Sequence, residues 1–317
     1  MQSSIRFILD MREASAFIVH FGFDPESFDC LLGLFKEHYP VDANTGRPRK
    51  FAADMALALV LMYLHNTIKQ ETLCVLFGAT AATISRTKNL GLDILETIFR
   101  SNPNDHRWRI AWPKVQEMKV FNNMIPSNTM FENETRVLNG VFGFIAGLNV
   151  PIETPEDDLE QNAYYKGWLS GHYSSQVLVF TPDECICWVR SNLPGSWNNA
   201  EIAKPLYENF SALSCPAPYR ILADASFPLT PEMEKDFMAV TKHRQAAEWG
   251  MRVIKAAFPR LKLKLTSNKA KRSQILLVIW SLYNFRARHV GLNQIRTVYM
   301  QKWRDNRQLF EYYESLS

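Results

Sequence analysis

The amino-acid sequence predicts an α/β domain preceded by an all-helical one. Three observations carry this expectation. The first 120 residues hold only helix-like patterns, short apolar runs bounded by turn residues begin near Val141, and those runs then alternate with helical stretches as far as Ala287. With 317 residues, 47% of them hydrophobic and 21% charged, the chain is long enough for two cored domains and is neither disordered nor collagen-like. The longest apolar runs, Ala56–Leu64 and Ile275–Leu282, fall well short of the roughly 20 residues that span a bilayer, so a soluble chain without a membrane partner is expected. Five cysteines, an odd number without paired metal spacing, argue against a disulfide framework and for a reducing compartment. Residues 1–10 lack the basic start and long apolar core of a secretion signal.

Taken in order, Phe51–Tyr63 is rich in Ala, Leu and Met and dense enough in apolar residues for a buried helix. A second helix runs from near Gln70 to Phe77, where Gly78 supplies the left-handed residue that ends it. Thr80 then suits the N-cap of a third, through Ile84 toward Leu95. Helix, glycine turn, helix is the helix-turn-helix pattern, whose second helix enters the major groove; Thr83, Ser85, Arg86 and Lys88 are the side chains it would offer to DNA. Two short amphipathic helices around a glycine also occur in any small bundle.

From Asn102 to Asn128 the periodicity fades among Pro103, Trp112-Pro113 and Pro126, which reads as a connection. Strands follow at Val141–Ile145, Tyr173–Phe180 and Cys185–Arg190, the last two joined by the turn Thr181-Pro182-Asp183-Glu184. Ala200–Phe210 reads as helix, Tyr219–Asp224 as strand, and Gln245–Phe258 and Ser273–Ala287 as helices. Three strands, helix, strand, helix is the order of a ribonuclease-H-like fold, an order that other α/β domains share. The expected organisation is a helical domain over 1–120 with the helix-turn-helix near 70–95, a connection over 121–139, the nuclease-like domain over 140–290 and a basic helical tail over 291–317.

Charge is sorted along the chain. Residues 240–317 hold 16 Lys/Arg against 4 Asp/Glu, a balance of +12, while the other 239 hold 20 against 28, a balance of −8. A basic third is the footprint of a polyanionic partner, nucleic acid first, and solvated helix faces give the same sorting. Within it, Arg260-Leu261-Lys262-Leu263-Lys264-Leu265 alternates basic and apolar residues; extended, it would put three charges on one face, and with Lys269, Lys271 and Arg272 it could follow a phosphate backbone or form an amphipathic edge.

A ribonuclease-H-like nuclease holds two divalent cations about 3.5–4 Å apart on carboxylates from distant parts of the chain. Asp224, ending the strand Tyr219–Ala223, and Glu248, in the first turn of a helix one turn after Arg244, are placed as such ligands; a surface acid or dipole-favoured helix start is the competing account. Cys185 and Cys187 share a strand face and read as packing, His243 as a partly exposed helix start, and Trp168, Trp197 and Trp249 as core, with Trp197 also able to line the cleft.

Four ordered segments go further: Gln161-Asn162-Ala163-Tyr164-Tyr165-Lys166-Gly167-Trp168, Pro194-Gly195-Ser196-Trp197-Asn198-Asn199, Ala223-Asp224-Ala225-Ser226-Phe227-Pro228, and Arg244-Gln245-Ala246-Ala247-Glu248. Together they resemble the nuclease domain of Harbinger-type transposases from about Gly140 to Asn284, and the preceding helices look like that family's helix-turn-helix part. The resemblance implies a DDE-type nuclease of the nucleus that cuts and joins DNA with Mg²⁺ or Mn²⁺. Two of its four acidic positions are lost. The first aspartate, in a stretch of isoleucine, aspartate, glycine, falls on Ala146 of Ile145-Ala146-Gly147, and the aspartate after the Pro-Gly-Ser turn falls on Asn199. An alanine binds no metal, and an amide oxygen brings no negative charge; at an effective dielectric near 20, one charge pair at 4 Å is worth about 4 kcal/mol before desolvation. Glu153, Glu156, Asp157, Asp158 and Glu160 follow Ala146 by 7 to 14 positions, in what reads as a hairpin arm too far off to substitute. The expectation is a nuclease fold, impaired in cutting, that retains DNA or partner binding. An active Mg²⁺- or Mn²⁺-dependent endonuclease and a chromatin-associated protein-interaction module, bound to a chromatin or DNA-binding protein, are the alternatives.

Overall fold

The computed structural model describes residues 3–40, 49–124, 139–210, 215–223, 227, 237–239 and 253–289. Among the described residues, seven helices come first. Helices α1 (Ser4–Met11), α2 (Ala14–Phe21) and α3 (Pro25–His38) each start on a side chain that accepts from the free amides of the first turn: Ser3, Glu13 and Asp24. They wrap α4 (Ala53–His65), in which every residue from Met55 to His65 is buried, so the expected buried helix is found two residues further along than the sequence pattern placed it. Helix α5 (Gln70–Phe77) ends on Gly78, whose φ of 59° is the left-handed geometry glycine tolerates at no steric cost. Thr80 caps α6 (Ala81–Ser101) by accepting from the Thr83 amide, and α6 runs six residues past Leu95 because Ile98 and Phe99 continue its buried stripe.

The stretch read as a connection contains a helix, α7 (Val115–Met124). Its Met118, Phe121 and Met124 are buried against the first strand of the sheet. This strand, β1 (Val141–Pro151), is twice the expected length. There follow α8 (Asp158–Tyr164), β2 (Tyr165–Lys166), β3 (Gly171–Phe180), β4 (Ile186–Pro194), α9 (Asn199–Asn209), β5 (Arg220–Ala223), β6 (Phe237–Ala239) and α10 (Lys269–His289). The acids after β1 therefore lead into a helix rather than a hairpin arm: Asp157 caps α8 by accepting from the Glu160 amide.

Beside β1 lie β3, antiparallel, on one edge and β5, parallel, on the other; β6 continues the sheet parallel to β5, while β4 and β2 pair antiparallel with the far edge of β3. Apolar residues fill both faces. Ala146, Leu148, Val150, Leu178, Phe180 and Ile186 join α4, α6 and α10 in one core, and Ile145, Val177 and Val179 join α7 and α9 in a second. A central strand with a parallel neighbour and helices on both sides reads as a continuous apolar run, which is the pattern from Val141 to Gly147.

Helix α10 ties the two parts together. It packs on α6 and on β4, and its fully buried Asn284 accepts from the Ile186 amide at 2.8 Å while donating to the carbonyls of Ile186 at 2.9 Å and Arg109 at 2.7 Å. His65, likewise buried, donates from Nδ1 to the Ala257 carbonyl; burial first and Arg286 second push its pKa down to about 3.

Two predictions follow from these buried polar groups. Asn284→Leu strands three backbone groups in an apolar interior at about 1–3 kcal/mol for each group left unpaired, so a loss of more than 2 kcal/mol is expected by denaturant unfolding. His65 is neutral when folded and regains an ordinary pKa near 6.5 when unfolded, so its contribution is complete above about pH 6.5 and is lost as pH falls toward 3. Between pH 6 and 4 the wild-type chain should lose up to about 1.4 kcal/mol per pH unit more than His65→Gln, read as the difference in slope of unfolding free energy against pH.

Candidate functional site

The positions singled out on β1 sit mid-strand. Ala146 pairs with Leu178 and Gly147 with Val177 of β3. Side chains alternate along a strand, so neighbouring residues face opposite ways. Ala146, 3% exposed, lies in the core shared with Leu148, Leu178 and Phe180. Gly147 faces α9, and a Cβ built on it would overlap the side chain of Asn199, whose Cγ would be 2.6 Å away. Asn199, the first residue of α9, thus rests on the bare backbone of Gly147 because no side chain intervenes. Ala146 and Asn199 flank β1 from opposite faces.

Asn199 has polar company. Asn149 pairs with Ser175 across the same face; the Ser175 hydroxyl donates to Asn149 Oδ1 at 3.1 Å and accepts from Lys166 Nζ at 3.2 Å. Lys166 is 8% exposed, and burial holds its ammonium below its ordinary range. On the Ala146 face the neighbours in the core are Leu148, Leu178 and Phe180, with the buried Gln176, opposite Leu148, bonded to Ser174 and Asn192. Strand β5 ends at Ala223, one residue before Asp224 in the chain, with its Leu222 beside Phe144. Asp224, Glu248, Arg244, His243 and Trp249 lie outside the described residues. Glu153, Glu156, Asp157, Asp158 and Glu160 are all exposed, and no group of three His, Cys, Asp or Glu among the described residues is gathered closely enough to hold a metal ion.

The basic residues divide differently from the sequence pattern. Pro259 opens a 3-10 turn, Pro259–Lys262, because its ring fixes the first φ of the turn, so the Arg260–Leu265 stripe is not extended throughout. Lys262 and Lys264 are exposed, while Arg260 turns inward over the ring of Tyr63 at 4.4 Å. Arg272 is buried rather than aligned with a phosphate path. Its Nη1 donates to the carbonyls of Thr266 and Ser267, its Nε bonds Asn192, and its guanidinium stacks over Tyr164 at 4.7 Å. The cause is Asn268, which caps α10 and turns its fourth residue into the fold. On α6, Arg86 is exposed, Thr83 and Ser85 are partly exposed, and Lys88 lies over Tyr63 at 4.8 Å.

Trp168 is 74% exposed, against the expectation of a core residue, since the short turn that carries it, Gly167–Leu169, hangs beyond the edge of β3. Trp197 lines an open groove of about 390 Å³ with Arg190, Glu201, Lys204 and Pro205, its ring 5.9 Å from the Arg190 guanidinium. Cys185 and Cys187 are buried, and that burial pushes both thiols well up, as packing residues require.

Residues 145–284 match the family model described as DDE superfamily endonuclease. No curated protein and no solved structure matches the chain. The matched region opens beside Ala146 and closes on Asn284, so it takes in the sheet from mid-β1 onward, α9 and most of α10, and excludes helices α1 to α7. DDE superfamily endonucleases generally use divalent metals. Ala146 does not fit such a group, because a methyl in an apolar core supplies neither an oxygen nor a charge. No helix among the described residues is long and apolar enough to cross a membrane.

The juxtaposition of Gly147 and Asn199 makes a measurable claim. Gly147→Ala should destabilise by about 1–3 kcal/mol through overlap with the Asn199 side chain. In an Asn199→Ala background, which removes the overlapping atoms, the same change should cost at least about 1 kcal/mol less, measured as a double-mutant cycle in urea.

Proposed function

We propose that this chain is a transposase-derived, nuclease-like protein of Harbinger type with a ribonuclease-H-like α/β domain, impaired in cleavage and retaining DNA binding. The strand order β4-β3-β1-β5-β6, antiparallel in the first three and parallel in the last two, supports the fold reading, as does the DDE superfamily match over residues 145–284. In this reading Asp224 and Glu248 are the surviving carboxylates, Mg²⁺ or Mn²⁺ is bound weakly, and the protein acts on DNA in the nucleus. Asn199, on the α9 face, then positions α9 on Gly147 instead of standing in for a ligand beside Ala146. The helix pair α5 and α6 presents Thr83, Ser85, Arg86 and Lys88 to DNA, with Arg244, Lys262 and Lys264 as further cationic contacts.

One observation carries the impairment: the position where the resemblance expects the first aspartate holds the buried methyl of Ala146. A single carboxylate removed from beside a divalent ion forfeits about 4 kcal/mol per unit charge pair at 4 Å and a dielectric near 20. Plasmid DNA incubated with Mn²⁺ and the purified chain should stay supercoiled; nicking that Glu248→Ala abolishes would overturn the proposal in favour of an active endonuclease. Ala146→Asp places an unpaired carboxylate in an apolar core, so its melting temperature should fall below that of wild type without metal. Saturating Mn²⁺ at about 100 times Kd should return about 2.7 kcal/mol of that loss and leave the wild type unmoved. No recovery would mean that Asp224 and Glu248 do not face this position.

A further inference from the structure

At the seam between the helical part and the α/β part, cations from α6 and from the 3-10 turn meet at Tyr63 of α4. Lys88 from α6 stands over the ring at 4.8 Å, and Arg260 from the 3-10 turn at 4.4 Å. Lys271, in the first turn of α10, raises the positive field at Lys88, whose ammonium is held below its ordinary range by burial first, then by Arg260 and Lys271. The exposed Glu153 is felt at Tyr63, and its carboxylate also accepts from the Ser267 amide; one turn along the α6–α10 contact, Asp93 and Glu96 of α6 accept from Gln274 of α10. Among the described residues none of Lys88, Arg260 and Lys271 forms an ion pair, and the buried Nε of Arg260 has no hydrogen-bond partner.

Cations crowded without counter-charges raise one another's energy, and the cost is relieved when an anion enters among them. We propose that this seam binds the phosphodiester backbone of DNA, with Lys88, Arg260 and Lys271 contacting phosphates and Tyr63 fixing the directions of Lys88 and Arg260. The inference rests on the DNA-binding reading above and adds to it. The second helix of the α5–α6 pair and the start of α10 become one continuous footprint, and the duplex crosses both parts of the protein. The exposed Lys262 and Lys264 lie on the same chain segment and extend the track past the cluster, which a single free phosphate would not use.

The test is fluorescence anisotropy of a labelled 20-base-pair duplex of arbitrary sequence with the full chain between 50 and 200 mM salt. Each neutralised phosphate contributes about 0.9 to the slope of log K against log salt, so Lys88→Gln/Arg260→Gln/Lys271→Gln should flatten the slope by roughly 2.7 and weaken binding equally for unrelated sequences. Lys88→Arg/Arg260→Lys/Lys271→Arg should restore it. Lys271→Gln alone, a change at an exposed position, should flatten the slope by about 0.9 even if the triple variant does not fold. A wild-type slope with unchanged slopes in the variants would overturn the seam and leave DNA binding standing. Absence of binding by wild type would overturn both. Millimolar inorganic phosphate that displaces the duplex completely would mark a free-phosphate pocket and overturn the backbone assignment.

Discussion

The arrangement of the molecule depends on one buried amide. Asn284 is matched to the start of β4, accepting from Ile186 N–H and donating to Ile186 C=O, and its second donor hydrogen reaches Arg109 in the segment between the helical part and the sheet. A carboxamide is the smallest side chain that supplies an acceptor and a double donor in one plane, so neither Asp nor Leu could replace it without leaving a buried partner unpaired. These three bonds fix the axial register of α10 on β4. Because α10 also packs on α6, the same bonds fix how the α5–α6 pair stands relative to the sheet. That register also sets Lys88 on α6 and Lys271 on α10 along one seam, where the ammonium of Lys88 feels Lys271.

A second constraint comes from β1. It is covered on both faces, so its residues are chosen by packing even where chemistry might want otherwise. With Leu178 opposite and Leu148 and Phe180 in the same core, position 146 has apolar neighbours, and an ionised carboxylate there would need a cation to offset its desolvation. The methyl of Ala146 fills this place in the core and offers a metal neither oxygen nor charge. On the other face Gly147 does the reverse: by having no side chain it admits Asn199, and so sets how closely α9 approaches the strand.

What was legible in the sequence was local. Gly78 and Thr80 punctuate α5 and α6 because a left-handed residue and a hydroxyl cap act within four residues of themselves, and β3 and β4 were legible from apolar runs around a Pro-Asp turn. What was hidden depends on partners far along the chain. Met118, Phe121 and Met124 have helical spacing, yet Trp112-Pro113 and Pro126 on either side disguised α7 as a connection; only β1 supplies the surface that makes the helix worthwhile. The Arg260–Leu265 alternation suggested a strand, but Pro259 turned its beginning and Tyr63, almost 200 residues earlier, took Arg260. Arg272 looked like one more surface cation and is instead buried by the cap at Asn268. Of the four positions at which the resemblance places acids, the sequence showed Ala146 and Asn199 at two; that these two flank β1 from opposite faces became legible only once α9 was known to pack on Gly147, the strand neighbour of Ala146.

In the proposed reading a metal site and a phosphate track obey different physics, so one can be lost while the other is kept. A metal site is a short-range device: it needs several oxygens within one coordination shell, and removing one carboxylate weakens the whole set. A phosphate track is long-range and additive, each cation contributing its own increment to binding, so it degrades gradually and survives single substitutions. Under the proposed reading the carboxylate set is therefore the part that fails first, at a position where an alanine packs into the core. The cations of the seam persist for a separate reason. Lys88 and Arg260 also hold the ring of Tyr63, so removing them would disturb the junction that Asn284 keeps in register.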